Sequence, residues 1–424
     1  MKVYLDTVGC RLNQSEIETF ARQFRLAGHT LVSDPAEADL TVINTCTVTT
    51  AAAADSRKKI RGATRAGSGE VIATGCWATM EPQMAATLSG VSQVVSNIDK
   101  DNLVSQYLQL PSESFDLEPV EREPIPGART RTRAFIKVQD GCDNRCTFCI
   151  TTVARGGGVS RPTADIIKDI QSAYRGGVQE AVLTGVHLGS WGYDFENATH
   201  LKRLVDIILR ETDIPRLRLS SLEPWDLEED FFSLWENKRL ARHLHLPLQS
   251  GCAATLRRMA RKTTPEEYAK LIANARLAIP ELAITTDVIV GFPIESDIEF
   301  EESLSFVNNM NFAGGHVFTY SARPETAAAR MPDHVPHDVR KDRNAQMRAI
   351  FSATKAAYQE QFLGENISVL WESATALGSD GWHLNGLTDN YLRVRAEAPM
   401  KLWNKITPVK ITEVTTQGLI GRIL

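Results

Sequence analysis

Residues 135–149, FIKVQDGCDNRCTFC, decide the fold assignment of this chain. A short apolar strand over residues 135–139 leads into a loop in which Cys142, Cys146 and Cys149 lie within eight residues. Cysteine thiolates bind soft metals, above all zinc and the irons of iron–sulfur clusters. Three thiolates leave one iron of a four-iron cluster open, whereas structural zinc takes four ligands. The spacing therefore predicts an iron–sulfur cluster with an open iron, and a zinc site with a distant fourth ligand is the alternative.

Composition limits the class of protein. The chain has 424 residues, a length typical of two to four domains, and seven cysteines. An odd cysteine count with no secretion signal argues against a disulfide framework and for metal binding or catalysis. No apolar run is long enough to cross a bilayer, so we expect a cytoplasmic protein without membrane association. The net charge of −5 does not indicate a polyanionic partner, and a soluble enzyme without one is the simplest interpretation of that charge.

Residues 134–362 alternate between predicted strands and helices. Strands are expected at residues 135–139, 181–185, 217–221, 243–248, 285–290 and 316–320. Helices are expected between them, and a long helix at about residues 338–362 ends the series. Six βα repeats are fewer than the eight of a closed barrel, so we predict an open, partial (β/α)6 barrel.

Residues 1–112 show an earlier alternating pattern that is typical of a small doubly wound parallel sheet. Cys10, Cys46 and Cys76 each follow a predicted strand, at residues 3–9, 39–45 and 70–75 respectively. The carboxyl ends of parallel strands face one crevice. We therefore expect these cysteines to converge and hold a second three-cysteine cluster, with three buried structural cysteines as the alternative.

Two further segments complete the predicted organisation. Residues 113–133 are rich in proline and charge and are typical of a linker. Residues 363–424 contain β-rich stretches at 367–372, 391–396 and 409–414 between glycine-containing turns, which predicts a small β-barrel. The predicted fold class is α/β, with an N-terminal doubly wound sheet, a central partial barrel and a C-terminal β-barrel.

The cysteine loop resembles the C-x-x-x-C-x-x-C motif of the radical S-adenosylmethionine superfamily. Other motifs resemble the methylthiotransferases of that superfamily over nearly the whole chain. They are NTCTVT at 44–49, ATGCWA at 73–78, TGVHLG at 184–189, SSLEP at 220–224, HLPLQSGC at 245–252, DVIVGFP at 287–293 and VFTYS at 317–321. The segment GLTDNY at 386–391 is similar to the TRAM domain, a small RNA-binding β-barrel.

The resemblance implies a methylthiotransferase domain over 1–112, a radical S-adenosylmethionine core over 134–362 and a TRAM domain over 363–424. It implies two [4Fe-4S] clusters and S-adenosylmethionine as cofactors, and no catalytic side chains beyond the cluster ligands. The implied cluster ligands are Cys10, Cys46, Cys76, Cys142, Cys146 and Cys149. The implied S-adenosylmethionine contacts are Phe148, Gly185, His187, Ser220, Glu223, Val290 and Gly291.

The resemblance also implies a reaction. A deoxyadenosyl radical takes hydrogen from C2 of a modified adenine beside the tRNA anticodon, the second cluster delivers sulfur, and a second S-adenosylmethionine supplies methyl. The expected partners are tRNA and a low-potential electron donor of the flavodoxin or ferredoxin type, and the sulfur source is unknown. The motifs are most similar to the threonylcarbamoyladenosine branch. An isopentenyladenosine tRNA or a ribosomal-protein aspartate is the alternative substrate, and an iron–sulfur electron carrier with an RNA-binding tail is the non-catalytic alternative.

Three segments depart from the family pattern. They are ITTVARGGGVSR at 150–161, GFPIES at 291–296 and RPET at 323–326. Single residues also have simpler interpretations: Gly185 as a turn residue, Glu223 as a solvated acid, and His187 and Cys252 as structural residues. Arg57, Arg61 and Arg65 form a basic stripe on a predicted helix, which is either an RNA contact or a solvated face.

Overall fold

The computed structural model describes residues 1–115, 132–377 and 381–424. Most of the predicted linker lies outside these ranges, and so does Gly378, one of the glycines in the turns predicted for the C-terminal β-barrel. The domain boundaries themselves stay predictions. Within the described ranges, no helix combines the length and apolarity needed to span a membrane.

The N-terminal unit is a parallel five-stranded sheet in the order β2-β1-β3-β4-β5. Its strands are β1 (Lys2–Thr7), β2 (Thr30–Leu31), β3 (Leu40–Thr45), β4 (Glu70–Gly75) and β5 (Val91–Val95). Its helices are α1 (Arg11–Leu26), α2 (Thr50–Ala66), α3 (Cys76–Met80), α4 (Pro82–Ala86) and α5 (Leu103–Leu108). Strand β3 is buried at every residue, as expected for a parallel strand covered on both faces. The doubly wound sheet predicted from the sequence is confirmed, with β2 added at one edge.

The central unit carries six parallel strands and two short ones. Its strands are β6 (Arg133–Lys137), β7 (Gln139–Asp140), β8 (Val159–Ser160), β9 (Glu180–Thr184), β10 (Arg216–Leu219), β11 (His243–His245), β12 (Ala283–Val290) and β13 (Gly314–Thr319). Two three-stranded sheets, β10-β9-β6 and β11-β12-β13, are joined by parallel bridges from Leu217 to Leu240 and from Ser221 to His245. The result is one curved row of six strands, β6-β9-β10-β11-β12-β13, which is the partial barrel predicted.

Seven helices of the described chain accompany these strands. They are α6 (Thr151–Arg155), α7 (Thr163–Arg175), α8 (Leu201–Glu211), α9 (Ala253–Arg258), α10 (Pro265–Ala278), α11 (Asp297–Asn309) and α12 (His337–Glu360). Helix α8 buries Leu201, Leu204, Val205 and Ile208, a spacing that places all four on one face. Helices α10 and α11 both begin with capping boxes, each of which satisfies two backbone amide groups at the start of the helix.

The C-terminal unit is a closed five-stranded barrel in the order β14-β15-β16-β18-β17. Its strands are β14 (Asn366–Ala376), β15 (Trp382–Thr388), β16 (Arg393–Ala398), β17 (Ile406–Thr415) and β18 (Gly418–Ile423). The predicted β-barrel is confirmed, but the predicted strand at 391–396 begins two residues later. Tyr391 has a φ of 66°, a left-handed turn conformation that a strand does not adopt.

The turn before β16 docks the C-terminal barrel on the amino ends of the central strands. The Arg218 guanidinium donates to the carbonyl oxygens of Asp389 and Thr388 at 2.8 and 3.1 Å. The Tyr391 ring stacks on His243, the first residue of β11, with centroids 4.2 Å apart. Arg11 of the N-terminal unit donates to the Tyr391 hydroxyl at 2.6 Å. All three units therefore meet at one side chain.

Candidate iron–sulfur and cofactor site

The three N-terminal cysteines lie at the carboxyl ends of neighbouring strands. Cys10 precedes α1, Cys46 directly follows β3, and Cys76 is the first residue of α3 immediately after β4. Because β1, β3 and β4 are adjacent in the sheet, the three side chains share one edge. Cys46 lies within electrostatic range of both other thiols, and burial raises its pKa to about 11. The structure brings these cysteines together as the sequence predicted.

Gly9 leaves the space that this cysteine group needs. Its φ is +105°, and a Cβ added there would lie 2.7 Å from the Cys46 Sγ. A larger residue would therefore meet the sulfur and also strain the backbone. Cys10 is exposed while Cys46 and Cys76 are buried, so the group opens toward solvent on one side.

The loop that carries the other three cysteines is fixed at several points. The Cys142 amide donates to the Gly156 carbonyl at 3.0 Å, and the Cys149 amide donates to the Cys146 carbonyl at 3.1 Å. Thr147 anchors the middle of the loop, since its hydroxyl donates to the Arg258 carbonyl at 2.8 Å. The three cysteines are half-buried.

The two cysteine groups fit clusters of several irons. In the part of the chain that the structure describes, no three His, Cys, Asp or Glu side chains converge tightly enough to hold a single metal ion. A cubane cluster places each thiolate on a different iron and does not require that convergence. Burial raises the pKa of Cys46 and of Cys146, so iron binding there has to displace a proton.

Arg261 links the cysteine loop to the end of β10. Its Nη1 lies 3.8 Å from the Cys146 Sγ, and its Nη2 donates to the Glu223 carboxylate at 2.6 Å. The guanidinium also lies 4.5 Å from the centroid of the Trp225 ring. Glu223 is therefore ion-paired and is not the freely solvated acid that its sequence context allowed.

His187 lies beside the same loop. Its Nε2 pairs with the Asp226 carboxylate at 2.6 Å, and its ring also lies 3.3 Å from the Asn144 amide nitrogen. Burial lowers the pKa of His187, but the hydrogen bonds and charges of Asp226 and Cys142 outweigh burial and raise it to about 10. A protonated imidazole is thereby held next to the cysteine loop.

The remaining predicted contacts lie at strand ends facing this loop. Gly185 follows β9 and packs on Gln139, whose side chain accepts the His187 amide at 2.9 Å. Val290 ends β12 and is buried, and the Gly291 amide donates to the Glu295 carboxylate at 2.7 Å. That these residues contact S-adenosylmethionine stays a prediction.

Several buried polar atoms in or after the strands of the partial barrel make no hydrogen bond within the described chain. They include Ser220 Oγ, Trp225 Nε1, Asp287 Oδ1, and Nε and Nη2 of Arg323. Unpaired buried polar groups are costly, so a group of them marks where a polar ligand would bind. Phe148, also predicted as a cofactor contact, packs edge-to-face on Phe292 with centroids 6.5 Å apart.

Other predicted residues lie apart from this region. Cys252 is buried at the start of α9, in agreement with a structural role. Arg57 lies 5.8 Å from the Trp77 ring centroid, whereas Arg61 and Arg65 are exposed on α2. Arg261 was not predicted from the sequence, because it lies 115 residues from Cys146 in the chain and shows no motif of its own.

Comparison with known proteins adds the family. Residues 136–307 match the model of the radical SAM superfamily, and residues 2–96 match the model described as uncharacterized protein family UPF0004. Among solved structures, the chain is similar to a radical S-adenosylmethionine methyltransferase, TsrM, from Kitasatospora setae. The TM-score is 0.58 at 15% identity, covering 77% of this chain and 75% of that chain. At this level of identity, the similarity to TsrM shows only a shared fold.

Curated relatives are similar over nearly the full length. The threonylcarbamoyladenosine tRNA methylthiotransferase of Bacillus subtilis is 35% identical, covering 96% of this chain and 93% of the relative. The tRNA-2-methylthio-N(6)-dimethylallyladenosine synthase of the same organism is 31% identical, covering 100% of this chain and 86% of the relative. The chain therefore belongs to the radical S-adenosylmethionine tRNA methylthiotransferases.

Family membership decides between the alternatives for activity and cofactors that the sequence left open. The protein is a transferase, and its cofactors are S-adenosylmethionine and two [4Fe-4S] clusters. The zinc protein and the non-catalytic electron carrier considered from the sequence are thereby set aside. Relatives named for two different modified adenosines match this chain, so the substrate is a separate question.

Proposed function

We propose that this protein adds a methylthio group to C2 of N6-threonylcarbamoyladenosine beside the tRNA anticodon. One observation carries the choice of substrate. Of two Bacillus subtilis relatives, the threonylcarbamoyladenosine enzyme is 35% identical and the dimethylallyladenosine enzyme 31%. The first is also matched over more of its own length, 93% against 86%. The sequence motifs at 44–49 and 184–189 favour the same branch.

Each cluster is assigned to one cysteine group in this proposal. Cys142, Cys146 and Cys149 would hold the cluster that binds S-adenosylmethionine, because Arg261 links Cys146 to Glu223 beyond the end of β10, inside the radical S-adenosylmethionine core. The three N-terminal cysteines would hold the second cluster at the edge of the parallel sheet. When bound, these cofactors supply the radical that removes hydrogen from C2, the sulfur and the methyl group.

The chain itself contributes orientation and the exclusion of water. Arg261 places positive charge beside Cys146 and offsets part of the rise that burial causes in the pKa of that thiol, and protonated His187 lies beside Cys142. Ser220 and Asp287 offer unpaired polar atoms to a ligand held inside the partial barrel. A flavodoxin- or ferredoxin-type electron donor stays a prediction.

Nucleoside mass spectrometry of tRNA tests the substrate. We expect tRNA from cells that lack this gene to lose the 2-methylthio form of N6-threonylcarbamoyladenosine and to accumulate the unmodified nucleoside. Restoring the gene should restore the product, and restoring a Cys142→Ala variant should not. Loss of the 2-methylthio form of isopentenyladenosine would instead assign the other tRNA substrate. Unchanged tRNA with a lost modification on a ribosomal-protein aspartate would overturn the proposal.

A further inference from the structure

The segment 154–156, directly after the cysteine loop, contacts both cysteine groups. The Ala154 carbonyl accepts a hydrogen bond from the side-chain nitrogen Nδ2 of Asn97 at 2.7 Å. The same nitrogen lies 3.5 Å from the Cys76 Sγ. The Gly156 carbonyl accepts the Cys142 amide at 3.0 Å. One short segment therefore links Cys76 of the N-terminal unit to Cys142 of the central unit.

Arg155, the middle residue of this segment, extends the link to the other strand ends. Its Nη2 donates to the Asn13 side-chain oxygen at 2.7 Å, and that oxygen also accepts from the Cys10 thiol at 3.6 Å. The Asn13 amide nitrogen donates to the carbonyls of Val8 and Thr45 at 2.8 and 3.0 Å. Asn13 thus braces the backbone just before Cys10 and Cys46, and Arg155 holds Asn13 from the other unit.

Two carboxylates, one buried and one half-buried, fix the guanidinium in this position. The Nη1 of Arg155 donates to Glu16 at 2.9 Å and to Asp140 at 2.8 Å, and its side chain is 2% exposed. Glu16 also pairs with Lys100 at 2.8 Å, and Asp140 pairs with Lys137 at the same distance. Buried charges must be fully paired to be tolerated, so this network admits little movement.

The network holds the positive charge of Arg155 next to the N-terminal thiols. Its three cations, Arg155, Lys100 and Lys137, are matched by three carboxylates: buried Glu16, half-buried Asp140 and exposed Asp101. Both Cys76 and Cys10 lie within electrostatic range of the guanidinium. A positive charge in a buried setting favours the more negative state of any group that it faces.

We propose that Arg155 is a positioning residue with two roles. It sets the placement of the N-terminal cysteine group relative to the loop of Cys142, Cys146 and Cys149, and its charge raises the reduction potential of the cluster held by Cys10, Cys46 and Cys76. The inference rests on the cluster assignment of the proposed function. Its distinguishing feature is that a residue of the central unit controls a property of the cluster in the N-terminal unit.

The test uses the full chain with Cys142, Cys146 and Cys149 replaced by Ala, so that only the N-terminal group can load iron. After anaerobic reconstitution, the midpoint potential of the cluster is measured by a redox titration followed by electron paramagnetic resonance. We expect Arg155→Met to make the potential more negative than in the parent. Arg155→Lys keeps the charge but not the separate contacts of Nη1 and Nη2. Its midpoint potential should return most of the way to that of the parent.

Arg22→Met is the matched control. Arg22 is also an arginine of a cross-unit pair, with Asp169 of α7 at 2.8 Å, but it lies twelve residues beyond Cys10 along α1. It should leave the potential unchanged. Equal potentials in the parent, Arg155→Met and Arg22→Met would overturn the electrostatic role. A parent chain that fails to load four irons would refute the cluster assignment itself, a separate result.

The positioning role is tested in the chain that keeps all six cluster cysteines. Magnetic coupling between the two reduced clusters splits their electron paramagnetic resonance signals, and the size of the splitting depends on the distance between the clusters. We expect this splitting to change in Arg155→Met and to stay unchanged in Arg22→Met. An unchanged splitting in both would overturn positioning. If Arg155→Met folds with its native circular dichroism but loads iron only in the loop, positioning is supported. If Arg155→Met, Arg155→Lys and Arg22→Met lose the fold equally, Arg155 is only an interface residue and the proposal fails.

Discussion

Gly9 shows how one missing side chain permits a cysteine group. Its φ of +105° is accessible mainly to glycine, and any Cβ would lie 2.7 Å from the Cys46 Sγ. We predict that Gly9→Ala retains the loop cluster but loses the N-terminal one, so reconstituted iron falls from about eight to about four per chain. Iron analysis together with electron paramagnetic resonance measures this change.

Gly28 provides the control for that substitution. It also has a left-handed backbone, with φ of +80°, but a Cβ there would meet nothing within 4 Å. Gly28→Ala therefore adds backbone strain of about 1 kcal/mol without touching a cysteine, and should keep its full iron content. Full iron loading in Gly9→Ala would show that the space beside Cys46 is not required.

At the residue scale, the cysteines were predictable and their partners were not. Cys46 and Cys76 directly follow strands that their apolar patterns reveal, and Cys10 lies three residues after β1, which ends two residues before its predicted end at residue 9. Their places at the sheet edge therefore follow from the sequence. Arg155 and Asn13 are 142 residues apart, and no local pattern records that they meet. Such a contact depends on how two separate units pack.

At the scale of elements, strands with strong apolar runs were predicted and short or polar ones were not. Strand β2 has only two residues and forms by pairing with β1, so its own sequence carries no signal. Strand β11 ends at His245, three residues before its predicted end. Pro247 lacks the amide that a ladder needs, and Gln249 has a left-handed φ of 75°.

The turn before β16 is the element that holds the C-terminal barrel in place. Tyr391→Ala removes the stacking on His243 and the hydrogen bond from Arg11, while the core of the barrel does not include Tyr391. We predict a looser attachment of an otherwise folded barrel, at a cost of about 2 kcal/mol, since aromatic truncation in a half-buried site costs less than in a core. Hydrogen exchange should show faster exchange at the amino ends of β10 and β11.

Arg395→Ala is the comparison for Tyr391→Ala. Arg395 lies in the following strand, is exposed, and contacts Gln417 of the same barrel. Its loss should leave exchange in β10 and β11 unchanged. If the two variants exchange alike, the turn does not hold the units together.

At the scale of the whole molecule, the charge distribution predicts how tRNA binds. The net charge of −5 repels RNA at long range, so binding has to come from local contacts such as exposed Arg61 and Arg65 on α2. We predict that affinity falls steeply with salt and that Arg61→Gln and Arg65→Gln each reduce the slope of log K against log salt by about 1. Filter binding at several salt concentrations measures the slope.

Arg210→Gln controls for the loss of any exposed charge. Arg210 is also exposed but is paired with Asp206 on α8, at 3.0 Å. It should not change the slope. A salt-insensitive affinity for tRNA, or equal slopes in all three variants, would count against the basic stripe as an RNA contact.

The sequence by itself determined the three-part α/β architecture, the six cysteines in two groups and the family resemblance. These follow from local residue spacing and strand periodicity, which can be recognised without knowing how the chain packs. Tertiary structure alone decided that Glu223 is paired with Arg261, that Tyr391 joins three units, and that segment 154–156 connects both cysteine groups. Each of these joins residues that are distant in the chain, because buried charges and aromatic rings are satisfied by whatever partner the folded units bring to them.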